Sequence, residues 1–196
     1  MKPRVAILIS GRGSNMVSLV KAAQESDFPA EVVLVLSNKP EAAGLEVARS
    51  MGIEAIAVPV KPFGKDREAH ERAIDAELQA RGVQIVCLAG YMRLLTPWLV
   101  RRWAGRMLNI HPSLLPKFPG LDTHERAIAA GESEHGCTVH LVTEGMDEGP
   151  VLGQARVKLL PGDTPDSLAT RVLEQEHKLY PAMLAALAQK ISLPAG

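Results

Sequence analysis

The sequence predicts an α/β protein: one mostly parallel sheet with helices on both faces. Three observations carry that expectation. Short, wholly apolar runs such as Val5–Ile9 and Val83–Ala89 read as strands buried on both sides. Stretches of helical period separate them, and Gly52, Gly82 and Gly131 stand where those helices should stop. Strands and helices alternate in short units, which implies parallel strands joined by right-handed crossovers.

The elements follow in order. Val5–Ile9 is the first strand, and Ser10-Gly11-Arg12-Gly13-Ser14-Asn15 turns it into a helix carrying Val17, Leu19, Val20 and Ala23. Glu31–Leu36 is the second strand, closed by the turn Ser37-Asn38-Lys39-Pro40. A helix from Ala42 to Met51 leads to a third strand, Ile53–Val58. Pro59–Gly64 is a loop, and Asp66–Arg81 a helix with Ala69, Ala73, Ile74 and Leu78 on one side. Val83–Ala89 is the fourth strand. Gly90–Leu95 forms an irregular apolar loop before Thr96-Pro97, an N-cap and first helical residue. Met107–His111 is extended, because Pro112 biases His111 away from helical dihedrals. Lys117–Thr123 is rich in loop signals, and a short helix spans His124–Ala130. Cys137–Thr143 alternates as a strand, Glu144–Pro150 is an acidic loop, and Val151–Leu160 is a further strand. Thr164-Pro165-Asp166 opens a long helix reaching Leu187.

Composition excludes several classes. A chain of 196 residues supports one domain, expected over 1–196. Lys plus Arg and Asp plus Glu are each 22, so the basic excess of a nucleic-acid binder is missing. Arg101-Arg102 beside Trp103 reads as a solvated helix face. Two cysteines make no disulfide framework, and Cys87 reads as a small buried apolar residue. No apolar run approaches the ~20 residues of a membrane span, and the first residues lack a secretory pattern. A cytoplasmic protein is expected.

In an extended Met107–His111, side chains two apart share a face, so Asn109 and His111 point the same way. An amide donor beside an imidazole can stabilise an oxyanion and move a proton. A polar strand end with a satisfied histidine is the plainer alternative. The Ser10–Asn15 turn suits an anion, because glycine-rich backbone N–H groups and a helix N-terminus both favour one. It is no Walker A loop, and Met16 stands where a dinucleotide fingerprint needs its third glycine. In a parallel sheet this turn, Gly90–Thr96 and the segment from His111 share one edge, where ligands bind. The apolar Gly90–Leu95 loop suggests walls for a flat aromatic ligand, or else a loop tucked under the core. Asp147 can return over the site as a carboxylate, or serve as an ordinary turn residue. Glu176 lies on the apolar stripe of the last helix, where a carboxylate is costly without a partner or ligand hydroxyls.

Four segments, in this order, resemble one family: Ile9–Asn15, Leu88-Ala89-Gly90-Tyr91-Met92-Arg93-Leu94-Leu95, Leu108-Asn109-Ile110-His111-Pro112-Ser113-Leu114-Leu115-Pro116 and Met146-Asp147-Glu148-Gly149-Pro150. They are similar to the folate-dependent phosphoribosylglycinamide formyltransferases of purine biosynthesis, from Val5 to about Leu187. The resemblance implies a formyltransferase fold: a mixed, mostly parallel seven-stranded sheet with a Rossmann-like N-terminal half and one antiparallel strand near the C-terminal end. It implies transfer of the formyl group of 10-formyltetrahydrofolate, the co-substrate, to the amine of glycinamide ribonucleotide in IMP biosynthesis. It assigns Gly13, Ser14 and Asn15 to the substrate phosphate, Glu176 to the ribose, and Met92 to both substrates. It assigns Arg67, Met92, Arg93, Leu94, Leu95, Asn109, Thr143, Glu144, Gly145, Met146 and Asp147 to the folate. Asn109, His111 and Asp147 are then catalytic, and no metal is needed. Two departures stand out: Asp122 where some relatives carry histidine, and Leu173 where some carry a polar ribose contact.

The chemistry asks for preorganised donors at a tetrahedral intermediate, each worth about 3–4 kcal/mol in a dry site. Asn109 and His111 are the expected pair. An ordinary histidine is only about a quarter protonated at pH 7, and a carboxylate such as Asp147 favours its charged form. His111 would then protonate the leaving nitrogen, directly or through water. Related hydrolases carry a second histidine directly after the catalytic one, where Pro112 stands here, and an N-terminal regulatory domain. Methionyl-tRNA formyltransferase adds a C-terminal tRNA-binding domain. Neither addition is expected in this chain. A non-catalytic phosphate-binding domain would leave Asn109, His111 and Asp147 without a reason. Zinc lacks helical ligand spacing among the six histidines. The partners expected are the two small-molecule substrates, in a monomer or homodimer, with no nucleic acid and no membrane.

Overall fold

The structure is a computed structural model describing residues 1–192; the last four residues of the expected 1–196 domain lie outside the described residues. In chain order the elements are β1 (Arg4–Ile9), α1 (Ser14–Ala23), β2 (Glu31–Ser37), α2 (Ala43–Ser50), β3 (Ala55–Ala57), α3 (Arg67–Ala80), β4 (Ile85–Leu88), α4 (Pro97–Arg102), β5 (Met107–His111), α5 (Thr123–Ala129), β6 (Glu134–Leu141), β7 (Val151–Lys158) and α6 (Pro165–Ser192). All seven strands join one sheet in the order β3-β2-β1-β4-β5-β6-β7. Strands β1 to β5 pair in parallel, and β6 runs antiparallel to both its neighbours. The strand order reverses between β1 and β4, which opens the crevice where such sheets take ligands.

The two-sided burial of β1 explains why it reads as one apolar run. Val5, Ile7 and Ile9 pack with Met16 and Leu19 of α1 and with Leu168, Val172 and Leu184 of α6. Ala6 and Leu8 pack on the other face with Ile74 and Leu78 of α3, and with Leu99 and Trp103. Each large apolar side chain buried this way is worth about 1.5–3 kcal/mol. At the strand ends, the buried Tyr180 hydroxyl lies 2.8 Å from the Leu88 carbonyl and 3.2 Å from the Leu108 carbonyl, tying α6 to β4 and β5. Cys87 is fully buried in the same core.

Several boundaries differ from the sequence expectation. β3 has three residues because it pairs only with β2, at the edge of the sheet. The Pro59–Gly64 loop contains one 3-10 turn, Lys61–Phe63. β6 begins at Glu134 and stops at Leu141, since its pairing with β7 runs from Glu134↔Lys158 to His140↔Val151. Thr96 stands at the N-cap of α4 but does not cap it: its hydroxyl and its N–H both donate to the buried Glu71 carboxylate. The Arg101-Arg102 pair is a solvated face, both residues being exposed. Arg101 pairs with Glu144, and Arg102 donates to Asp75, which also accepts the indole N–H of buried Trp103 at 2.9 Å.

Candidate active site

The turn after β1 has the geometry that an anion cradle needs. Gly13 sits at the N-cap of α1 with φ 71° and ψ 44°, and no side chain caps the helix, so its first N–H groups stay free. Met16, in place of a third glycine, is fully buried and would crowd any Cβ at Gly13 at 3.1 Å. Asn15 Nδ2 donates to Glu176 Oε1 at 3.1 Å, which gives that carboxylate its structural partner. Asn15 Oδ1 is buried without a hydrogen-bond partner. Burial pushes the Glu176 carboxyl above its ordinary range, with the Asn15 bond opposing. A ligand donor arriving at Asn15 Oδ1 would satisfy a buried acceptor that the described residues leave without a partner.

Sheet register brings the other loops to the same edge. Leu8 pairs with Leu88, and Leu88 with Asn109, so β1 and β4 end beside Asn109 and β5 runs two residues further, to His111. The buried Ser10 hydroxyl joins two of the following loops. It donates to Asn38 Oδ1 at 2.6 Å and accepts the Met92 N–H at 2.8 Å.

On β5, Leu108 and Ile110 enter the core on the α6 side, so Asn109 and His111 share the opposite face with Met107. The acidic loop brings Asp147 to them: its Oδ2 lies 3.5 Å from His111 Nδ1 and accepts the Gly120 N–H at 3.0 Å. Asp147 has φ 53°, a left-handed conformation that Asp tolerates better than most residues. His111 Nε2 lies 2.8 Å from the Phe118 carbonyl and must carry a hydrogen there, because a carbonyl only accepts. The other ring nitrogen, Nδ1, faces the Asp147 carboxylate at 3.5 Å. Phe118 and Gly120 thus tie the Lys117–Thr123 segment to the His111 and Asp147 side chains. Beneath it, His124 Nδ1 lies 3.1 Å from His135 Nε2. Burial lowers both imidazoles, His135 to about 4.

A cavity of about 370 Å³ opens beside these groups, within the about 300–1,000 Å³ of small-molecule sites. Arg67, Arg93, Leu94 and Leu95 line it from one side, and Thr143, Glu144, Gly145, Met146 and Asp147 from the other, with Asn109 between. Met92 does not line it. Met92 is 68% exposed and borders a shallower depression with Arg67, Arg93 and Leu94. Sequence reasoning missed Leu88, Val100, His140 and Val142 in the wall. Parity along β6 could have found His140, which pairs directly across the sheet with Asn109. A second cavity, about 340 Å³, meets Asp147 from the side of Leu115, Pro116 and Val151. Among the described residues, no group of three or more His, Cys, Asp or Glu is arranged to hold a metal ion, and no helix is long and apolar enough to cross a membrane.

The model of the formyl transferase family matches residues 3–184. The phosphoribosylglycinamide formyltransferase of Escherichia coli is 44% identical over 181 residues, covering 92% of this chain and 85% of that protein. The trifunctional purine biosynthetic protein adenosine-3 of Drosophila melanogaster is 46% identical over 194 residues. The chain spans only 14% of that longer relative. The crystal structure of phosphoribosylglycinamide formyltransferase from Brucella melitensis superposes with a TM-score of 0.93 at 54% identity, covering all of both chains.

Proposed function

Because the chain belongs to the formyl transferase family, we propose that it transfers the formyl group of 10-formyltetrahydrofolate to the amine of glycinamide ribonucleotide, in purine biosynthesis. The observation that carries this reading is the approach of Asp147 to His111 beside Asn109, at the sheet edge that also bears the Gly13–Asn15 cradle. In this reading the cradle holds the substrate phosphate, and Glu176 with Asn15 holds the ribose. The cavity fits the folate: apolar Leu94, Leu95 and Met146 suit a flat ring, and Arg67 and Arg93 suit carboxylates. Met92 contributes through its backbone, which Ser10 holds, rather than as a wall.

The new bond joins the glycyl nitrogen to the formyl carbon, and the bond from that carbon to folate N10 breaks. Negative charge grows on the formyl oxygen in between, where N–H donors from Asn109 and His111 act. The amine loses a proton and N10 gains one, so no net oxidant or reductant is required. For His111 to donate, one of its two contacts must give way. The 3.5 Å approach to Asp147 is the looser, and a reacting group or water can enter there. The protein acts as one formyltransferase domain over 1–196 in the cytoplasm, monomer or homodimer, with no metal, nucleic acid or membrane partner.

The test is release of deformylated folate, followed by absorbance, with and without glycinamide ribonucleotide. Release that depends on the ribonucleotide supports the reading. Equal release in its absence would make the protein a hydrolase, and no release with it would remove the proposal.

A further inference from the structure

Asn109 faces His140 across the antiparallel β5–β6 pair, and its Nδ2 lies 3.4 Å from His140 Nε2. The other ring nitrogen, Nδ1, lies 3.0 Å from the Leu141 carbonyl oxygen. A carbonyl can only accept, so Nδ1 carries the hydrogen. That carbonyl has little freedom to leave. A Cβ at Gly149 would collide with it and come within 3.3 Å of His140 Nδ1, so the chain at Gly149 packs directly against the pair. The Leu141 N–H is also held, by the Pro150 carbonyl at 2.9 Å.

A ring with its hydrogen on Nδ1 presents a lone pair at Nε2, and only a donor can face it. Burial, the largest influence on this 3%-exposed histidine, disfavours its charged form. The Leu141 carbonyl and Asp147, whose Oδ1 is 3.9 Å from Nε2, oppose that only in part, and His111 adds to it. The Asn109 amide can therefore sit one way round, nitrogen toward His140. Its second N–H has no side-chain partner among the described residues.

We propose that His140 is a positioning residue: held in one tautomer by the Leu141 carbonyl, it fixes the amide of Asn109 so that its remaining N–H is available to the reacting formyl oxygen. A free asparagine turns over between its donor and acceptor ends, and an acceptor aimed at a developing oxyanion would repel it. The inference rests on the donor role proposed above for Asn109.

The experiment combines spectroscopy with two variants. In ¹⁵N-labelled protein, His140 should show hydrogen on Nδ1 only, and a coupling through the hydrogen bond between Asn109 Nδ2 and His140 Nε2. His140→Leu removes the acceptor and should lower kcat about 10- to 100-fold, as misplaced catalytic groups do, with KM for both substrates nearly unchanged. His140→Gln offers a carbonyl acceptor and should recover most of the loss. A hydrogen on Nε2, or His140→Leu turning over at the unsubstituted rate, overturns the proposal. The tautomer and coupling measurements need no turnover. They decide the lock even should the protein transfer no formyl group, an outcome that removes only the functional reading.

Discussion

The Asp147 carboxylate reaches His111 with the same oxygen that accepts the Gly120 N–H: Oδ2 lies 3.5 Å from the imidazole Nδ1 and 3.0 Å from that amide. One acidic side chain therefore touches the histidine and fastens the segment that covers it.

Asp147→Asn separates those two roles. An amide oxygen still accepts from Gly120, so the segment should stay in place, but the negative charge beside His111 is gone. Turnover is expected to fall about 100-fold or more, the scale of general acid–base assistance. Ribonucleotide affinity, measured by calorimetry, should change less than about twofold, because the loop proposed to hold the phosphate, Gly13–Asn15, is a different one.

Glu176 and Asn15 should act as a pair in stability. Asn15→Leu leaves a buried carboxylate without its donor and should cost about 1–3 kcal/mol in urea unfolding. The folded carboxyl is raised above its ordinary 4.5 by burial. Between those two values the folded state binds more protons than the unfolded chain, so stability should decline as pH rises through that window. Glu176→Gln carries no titrating group and should flatten that slope.

The His124–His135 pair predicts the opposite slope. His135 is lowered from 6.5 to about 4, with burial as the main cause and His124 next. As pH falls below 6.5 the unfolded chain takes up a proton that the folded ring refuses. Stability should therefore drop progressively down to about pH 4, and then level for this group. His135→Gln should lose less melting temperature between pH 7 and pH 4.5 than the unsubstituted protein.

Ser10→Ala should disturb folate more than phosphate. The Ser10 hydroxyl holds the Met92 N–H and Asn38 Oδ1, and its loss leaves both without that partner. A buried hydrogen bond of about 1 kcal/mol corresponds to roughly a fivefold rise in KM for the folate, with kcat nearly unchanged. Initial-rate kinetics with each substrate varied in turn checks it.

The extent to which the fold was legible follows from the range of each signal. Burial of β1 on both faces shows as an unbroken apolar run, and the helix stops show as glycines, because both are local. β6 ends at Leu141, two residues before its own alternation predicts, since its pairing with β7 sets its length. Met92 is assigned to both substrates by the resemblance of its segment; the structure turns its side chain outward and holds its backbone N–H at Ser10.

By itself the chain determined that Asn109 and His111 share one face, that a glycine turn at Gly13 opens a helix, and that Glu176 interrupts an apolar stripe. These are matters of a two-residue and a 3.6-residue period, written into covalent geometry. Only the tertiary structure decided that Glu176 meets Asn15, that Asp147 arrives at His111, and that the lone pair of His140 faces the amide of Asn109. Each of those pairs joins elements distant in sequence. Their distance depends on strand order and register, which the sheet settles through all its strands together and no single segment encodes.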